Sequence, residues 1–227
     1  MNTMAAARPT PVARWAALGG VAYVVLFVIG TILLYSGAPD TGSSPARIIA
    51  YYSDSGHRDR IAIGWIVAGL GIFFFLWFLS SLRATVRRWE AGDGFFTALT
   101  TIGGVVYATL AFAAIAVNMG IRTMSDDTFQ HAVYPGLLHA ADDASYILHA
   151  TGGAGAAAMI IGASLAAMRA GAWPSWAGWL GVVAGIIGLA SILFFTQLAI
   201  AIWIVAVSLM VFLRWGRDET SMGRLPA

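Results

Sequence analysis

The sequence predicts an all-α integral membrane protein, a bundle of six transmembrane helices with both termini in the cytoplasm. Composition is the first observation behind this prediction, since 59% of the 227 residues are hydrophobic and only 11% are charged. A soluble domain is about a quarter charged, and its interior is too small to hide so much apolar surface. The second observation is that charges separate long uncharged stretches, and the third is that arginines lie mainly at alternate ends of those stretches.

Four uncharged stretches each predict one crossing, because a helix needs about 20 largely apolar residues to cross the hydrocarbon core. Charged residues bound each stretch on both sides. The first stretch is longer than the apolar region of a secretory signal peptide, so we expect it to be an uncleaved anchor. The predicted spans are residues 15–36, 61–82, 96–118 and 145–168.

The last uncharged stretch, residues 170–213, predicts two crossings. As a single helix its 44 residues would be about 66 Å long, roughly twice the thickness of the hydrocarbon core. Pro174 is well placed in the first turn of a helix, and Thr196 and Gln197 are the most polar pair near the centre. We therefore expect spans at 175–195 and 198–213, with a tight turn between them.

The arginines predict the orientation, since cytoplasmic segments carry an excess of basic residues. All 13 basic residues are arginine. In a six-span arrangement nine of them share one side, and the other four share the opposite side with seven aspartates. Residues 1–14 and 215–227 are therefore predicted to be cytoplasmic tails. The exclusive use of arginine suggests a GC-rich bacterial genome. A net charge of +2 is too small to predict nucleic-acid binding.

The first of two longer outer loops contains a predicted surface helix. Ser44-Pro45 is typical of a helix start, and Ile48, Ile49 and Tyr52 would share one face of that helix. Such a helix would lie on the outer surface of the membrane.

The second outer loop predicts a short helix and the start of a long one. Residues 125–127, Ser-Asp-Asp, offer N-caps for a short helix that ends at Pro135-Gly136. A further helix from Leu137 to Met168 would be about 48 Å long, so its first turns should stand outside the hydrocarbon core.

Candidate metal ligands follow along this part of the chain. Imidazole and carboxylate groups are ligands for a divalent metal such as zinc. The alternative interpretation is a solvated helix end whose carboxylates are favoured by the helix dipole, and the spacing matches no zinc motif. The candidate ligands are His131, His139, Asp142, Asp143 and His149. No other cofactor is predicted, and catalytic residues stay unknown.

Small residues predict close helix contacts in the fifth span. Gly181 and Gly185 form a G-x-x-x-G pattern, which lets two backbones approach closely in a membrane. This face would either pack within one bundle or form the contact of a homo-oligomer or of a companion membrane protein. The predicted partners are thus membrane lipids and other membrane chains.

The predicted spans contain no formal charge. Ion-coupled transporters, proton pumps and voltage sensors usually place ionisable groups deep in the membrane, so the sequence disfavours these classes. The polar residues available inside the spans would hydrogen-bond neighbouring helices or line a pathway. They are Tyr23, Tyr107, Asn118, Ser191 and Ser208.

Several segments resemble a family of bacterial six-span membrane proteins, domain of unknown function 4386. They are residues 44–52 (SPARIIAYY), 58–60 (RDR) and 179–185 (WLGVVAG), with Trp203. The resemblance covers about residues 14–214. It implies six helices in a bacterial cell membrane, and it brings no activity, substrate or catalytic residue.

Three functions therefore stay open on the sequence. The leading interpretation is a multi-pass membrane protein of undefined biochemical role, structural or partner-binding. A transporter or channel subunit for a small neutral or apolar molecule is the second. A metal-dependent membrane enzyme that uses the outer His/Asp cluster is the third. Without a recognisable catalytic motif, the sequence favours a protein without catalysis over an enzyme.

Overall fold

The computed structural model describes residues 11–40, 42–90, 92–122, 134–191, 193 and 196–222. All regular secondary structure in these residues is helical, which confirms the all-α prediction. The helices are α1 (Pro11–Ala17), α2 (Gly19–Tyr35), α3 (Pro45–Ser53), α4 (Ser55–Trp89), α5 (Phe95–Arg122), α6 (Pro135–Arg169), α7 (Ser175–Leu189) and α8 (Thr196–Met222).

Five helical segments are long and apolar enough to cross a membrane. They are Val12–Tyr35, which joins α1 and α2, Ser55–Trp89, Phe95–Gly120, Pro135–Arg169 and Thr196–Arg214. The chain is therefore a multi-pass membrane protein. The remaining apolar helix, α7, has 15 residues and a length of about 22 Å, which is shorter than the hydrocarbon core. The sixth crossing and the cytoplasmic location of both termini stay predictions.

The turn between the last two helices lies earlier than predicted. α7 ends at Leu189, and Thr196, where we expected the turn, is the first residue of α8. The hydroxyl of Thr196 donates to the carbonyl oxygens of Ala190 and Leu193, at 3.0 and 2.6 Å. The side chain of Gln197 donates to the Ser191 carbonyl at 3.4 Å. The polar pair therefore donates to carbonyl groups of residues that follow α7, two of which, Ala190 and Leu193, also accept backbone N–H groups.

The limits of α8 and α6 differ from the predicted limits. α8 continues to Met222 and so extends beyond the predicted span limit at 213 into the predicted tail. The long helix predicted from Leu137 to Met168 is confirmed as α6, which begins two residues earlier. The short helix predicted around residues 125–127 lies outside the described residues.

The helix predicted after Ser44-Pro45 is confirmed as α3, and its position on the outer membrane surface stays a prediction. The Ser44 side chain caps it by accepting a hydrogen bond from the Arg47 backbone N–H at 3.4 Å. Its buried face is formed by Ile48, Tyr51 and Tyr52, whereas Ile49, which we placed on the same face, is 42% exposed. Ile48 belongs to one buried apolar cluster with Leu34 of α2, Ile61 of α4 and Leu138 of α6, so α3 covers one end of the bundle. We call this the α3 end and the opposite one the arginine-rich end.

Two pairs of helices make the most extensive contacts in the described part of the bundle, α2 with α4 and α5 with α6. A β-carbon placed on Gly30 of α2 would lie 2.7 Å from the backbone nitrogen of Ala68 in α4. One placed on Gly155 of α6 would lie 2.7 Å from the carbonyl oxygen of Gly103 in α5. Only glycine permits such approaches of backbone to backbone, which stabilise helix pairs in lipid.

The glycine face of α7 is used within the chain. Gly181 and Gly185 are both buried, Gly181 against Ser164 of α6 and Trp203 of α8, and Gly185 against Ile161 of α6. The G-x-x-x-G pattern left open whether this face packs within one bundle or against another chain, and in the structure it packs within one bundle. A homo-oligomer stays a prediction, but these two glycines already contact the chain's own helices.

Candidate functional site

A pair of tyrosine hydroxyls lies in the bundle interior. Tyr23 of α2 and Tyr107 of α5 are both buried, and their hydroxyl oxygens are 2.6 Å apart, a hydrogen bond in which either can donate. Phe75 of α4 contacts both rings edge-on, with ring centroids 5.2 Å from Tyr23 and 5.4 Å from Tyr107. The sequence offered the two tyrosines as interhelical hydrogen-bonding groups, and the structure brings them together.

A histidine completes this interior cluster. His149 of α6 stacks on Phe27 of α2 with ring centroids 5.4 Å apart and planes 15° from parallel. Its ring centroid is 6.1 Å from that of Tyr107, and its side chain is hydrogen-bonded to Gln197 of α8. We define the interior cluster as Tyr23, Phe27, Phe75, Tyr107 and His149.

The sequence analysis missed part of the interior cluster. It did not single out Phe27 or Phe75, and it considered His149 only as a metal ligand near the outer edge. The four-residue spacing of Tyr23 and Phe27, which puts both rings on one face of α2, was a signal for the first of these. Phe75 lies within a run of three phenylalanines, so no pattern distinguishes it from its neighbours.

The hydrogen bond between the two tyrosines of the interior cluster joins uncharged hydroxyl groups. Two tyrosine hydroxyls supply two donors, and their mutual bond uses one of them. The chemistry of the pair therefore suits recognition of a neutral polar group, and none of its atoms is a preferred ligand for a hard cation.

A second polar group of residues lies at the α3 end. Asn118 of α5 is 2% exposed, and its side-chain N–H₂ donates to Asp142 of α6 at 2.7 Å and to the hydroxyl of Tyr35 of α2 at 3.3 Å. Its carbonyl oxygen Oδ1 is buried without a hydrogen-bond partner. We define these three residues as the end cluster.

Arg60 fastens α3 beside the end cluster. Its guanidinium group donates to the carbonyl oxygen of Ser36 at the end of α2 and to the hydroxyl of Tyr51 in α3. The Tyr51 hydroxyl also donates to the Ser36 carbonyl at 3.2 Å, and the Tyr51 ring stacks on His57 with centroids 4.1 Å apart. The start of α4 and the end of α2 therefore hold α3 through one arginine and one tyrosine.

The five predicted metal ligands cannot form one centre. His139 and His149 are ten residues apart on the continuous helix α6, which separates them by about 15 Å along the axis, whereas ligand atoms lie about 2 Å from a zinc ion. Asp142 is already bonded to Asn118. Within the described part of the chain, no three His, Cys, Asp or Glu residues come together as a metal site.

A smaller metal site stays a prediction. His139, Asp142 and Asp143 are close in sequence on α6, and His131, their predicted companion, lies outside the described residues. Elemental analysis of protein purified without chelator tests this site directly.

Comparisons with known proteins identify no relative of this chain. No protein-family model, no curated protein and no solved structure matches it. The resemblance to domain of unknown function 4386 therefore stays a prediction, and any proposal of function depends on the geometry described above.

Proposed function

We propose that the protein is a membrane module without catalytic activity that binds a partner protein at its α3 end. The observation that carries this proposal is the attachment of α3, an amphipathic helix held across the end of the bundle by Arg60. Arg47 and Ile49 are both exposed, on either side of the buried Ile48. Arginine and large apolar side chains are well suited to protein interfaces, and a surface segment held by a rigid scaffold is a common place for function.

The packing of the bundle supports the role of a scaffold. The backbone-close contacts at Gly30 and Gly155 hold helix pairs at a fixed distance. Large side chains fill the interior between them, and Phe75, Phe78 and Met159 are fully buried. A bundle packed in this way resists deformation, so it keeps α3 in a constant position.

Site-specific photo-crosslinking in cells tests the partner-binding proposal. A photoreactive residue at position 49 should give a discrete protein adduct, because Ile49 is exposed on α3. The matched control is position 102, since Ile102 is 64% exposed on the apolar surface of α5 and should react with lipid. Arg60→Gln should reduce the adduct at position 49 by releasing α3. If positions 49 and 102 both give adducts with lipid and none with protein, the proposal is contradicted.

A second candidate function is a pathway for a small neutral molecule. The specific observation in its favour is the Tyr23–Tyr107 hydrogen bond with His149 beside it, since these polar groups come from three helices and meet inside the bundle. Reconstituted vesicles should then show solute flux above empty vesicles, and Tyr107→Phe should reduce it. Tyr134→Phe is the matched control, because Tyr134 is exposed at the start of α6. Flux equal to that of empty vesicles would remove this candidate.

We further infer a bacterial inner membrane location, with six crossings and both termini in the cytoplasm. The support is the arginine distribution and the presence of α7 as an apolar helix between α6 and α8. Reporter fusions at residues 14 and 222 should both report a cytoplasmic position. Fusions that report opposite sides would indicate an odd number of crossings, with α7 lying in one leaflet.

A further inference from the structure

A cleft of about 490 Å³ lies at the arginine-rich end of the bundle, between the end of α4, the start of α5 and the end of α6. Its size is in the range of small-molecule pockets. It is distant along the helices from both clusters described above. The residues that give it its chemical character are Trp89, Glu90, Asp93, Phe95 and Arg169.

Two carboxylates are fixed on one side of the cleft by capping the start of α5. Glu90 accepts hydrogen bonds from the backbone N–H groups of Phe96 and Thr97, at 2.7 and 2.9 Å. Asp93 accepts one from the N–H of Phe95 at 3.1 Å. These bonds satisfy the first N–H groups of the helix. They also hold two negative charges in constant positions, although each carboxylate keeps further lone pairs for a ligand.

A guanidinium group lines the cleft from the third helix. Arg169 is the last residue of α6, and its guanidinium carbon lies 4.6 Å from the centre of the Phe96 ring. This cation–π contact positions the charge and leaves the N–H donors at the edge of the guanidinium plane available. The cleft therefore presents a cation and two anions separated by aromatic side chains.

The cleft also lies where a membrane surface is expected. Trp89 packs edge-on against Trp173 with ring centroids 5.7 Å apart, and tryptophan is enriched at the boundary between lipid and water. Phe95 at the rim is 60% exposed. An apolar ring at the mouth of a charged cleft suits a ligand that has acyl chains beside a charged headgroup.

We propose that this cleft binds the headgroup of a phospholipid that carries a primary ammonium, an ethanolamine phospholipid, with its phosphate at Arg169 and its ammonium at Glu90 and Asp93. Charge complementarity selects this headgroup. A glycerol headgroup could place its phosphate at Arg169 in the same way, but it has no cation to offer to the two carboxylates. A choline headgroup has a cation, but its methylated ammonium cannot donate hydrogen bonds to the carboxylates.

The test is native mass spectrometry of the full chain released from bilayer discs of defined composition. Discs that contain equal amounts of ethanolamine, choline and glycerol phospholipids should yield protein that retains the ethanolamine lipid about tenfold over either competitor, as expected for one charge-assisted hydrogen bond. This comparison uses the unaltered protein. Equal retention of the three lipids, or preference for the choline or glycerol lipid, would overturn the proposal.

Matched variants then locate the site. Arg169→Gln and Asp93→Asn should each reduce the preference about tenfold, and the amide of the second variant can still cap α5. Arg83→Gln and Asp59→Asn are the controls, because both residues are exposed and neither lines the cleft. A preference that survives both cleft variants, or falls equally in the controls, would refute this site.

Discussion

The polar residues of the interior cluster and those of the end cluster come from the same three helices, but they satisfy their hydrogen bonds in different ways. α2, α5 and α6 contribute Tyr23, Tyr107 and His149 to the first, and Tyr35, Asn118 and Asp142 to the second. In the interior, neutral hydroxyls bond to each other between aromatic rings. At the α3 end, an amide bonds to a carboxylate, and its own oxygen is left without a partner.

The difference follows from the distance of each cluster to water. Polar groups inside the hydrocarbon region must find partners within the protein, because lipid offers none. A charged group there is costly, so the interior uses hydroxyls. Near the end of a bundle, water can reach a carboxylate and complete its hydrogen bonds. The end cluster therefore tolerates a charge on Asp142.

The largest expected effect breaks both clusters at once by separating α5 from α6. Gly155→Val places side-chain atoms against the Gly103 backbone, where even a β-carbon would lie 2.7 Å from the carbonyl oxygen. We expect a loss of about 3 kcal/mol or more, since backbone cannot yield as a flexible side chain does. Gly136→Ala is the control, because a β-carbon at Gly136 meets nothing within 4 Å. Thermal unfolding in detergent measures both, and equal melting temperatures would show that the helices are not closely packed.

A smaller effect tests the comparison itself. Tyr107→Phe leaves the Tyr23 hydroxyl buried without its partner and should cost about 1–2 kcal/mol. Asn118→Leu should cost less, about 0.5–1 kcal/mol, because water can replace the amide at Asp142. The double variant Tyr23→Phe/Tyr107→Phe should regain part of the stability that Tyr107→Phe loses, since it removes both polar groups. Unfolding free energies that rank the two single variants in the opposite order would reverse our interpretation of the clusters.

The smallest effect concerns a carboxylate outside both clusters, at the start of α5. Partial burial acts to raise the pKa of Glu90, but hydrogen bonds from Thr97 and Phe96 and the nearby Arg87 outweigh it and lower the pKa below its usual 4.5. A carboxylate whose pKa is lower in the folded state stabilises that state at any pH above its pKa in the unfolded chain. This contribution is lost as the pH falls through the pKa of the folded state.

Glu90→Gln should therefore lower the melting temperature at pH 7, with a loss of about 1 kcal/mol or less in the free energy of unfolding. The difference from the unaltered protein should shrink between about pH 5 and pH 3, because protonation removes the charge from Glu90 as well. Melting curves across this range measure it. A difference that stays constant with pH would mean that the charge of Glu90 does not stabilise α5.

Pattern reasoning succeeded for elements whose signal is local. The Ser44-Pro45 pair predicted α3, and the uncharged stretch that ends at Arg169 predicted most of α6. It failed where a residue's role depends on a distant partner. Thr196 and Gln197 read as a turn because they are polar, but they bond to carbonyl groups at the end of α7. The metal hypothesis grouped residues by type, and the rise of α6 separates His139 from His149.

The amino-acid sequence by itself determined the medium and the type of structure of this protein. Hydrophobic content and the length of uncharged stretches measure the free energy of transfer into lipid, and this quantity needs no knowledge of neighbours. Only the tertiary structure decided which polar groups meet. Tyr23 and Tyr107 are 84 residues apart in the chain, and they meet because α4, which approaches α2 closely at Gly30, also packs against α5 and contacts both rings through Phe75. Side-chain type alone cannot specify such a pairing, since it depends on the spacing of backbones that only the folded bundle provides.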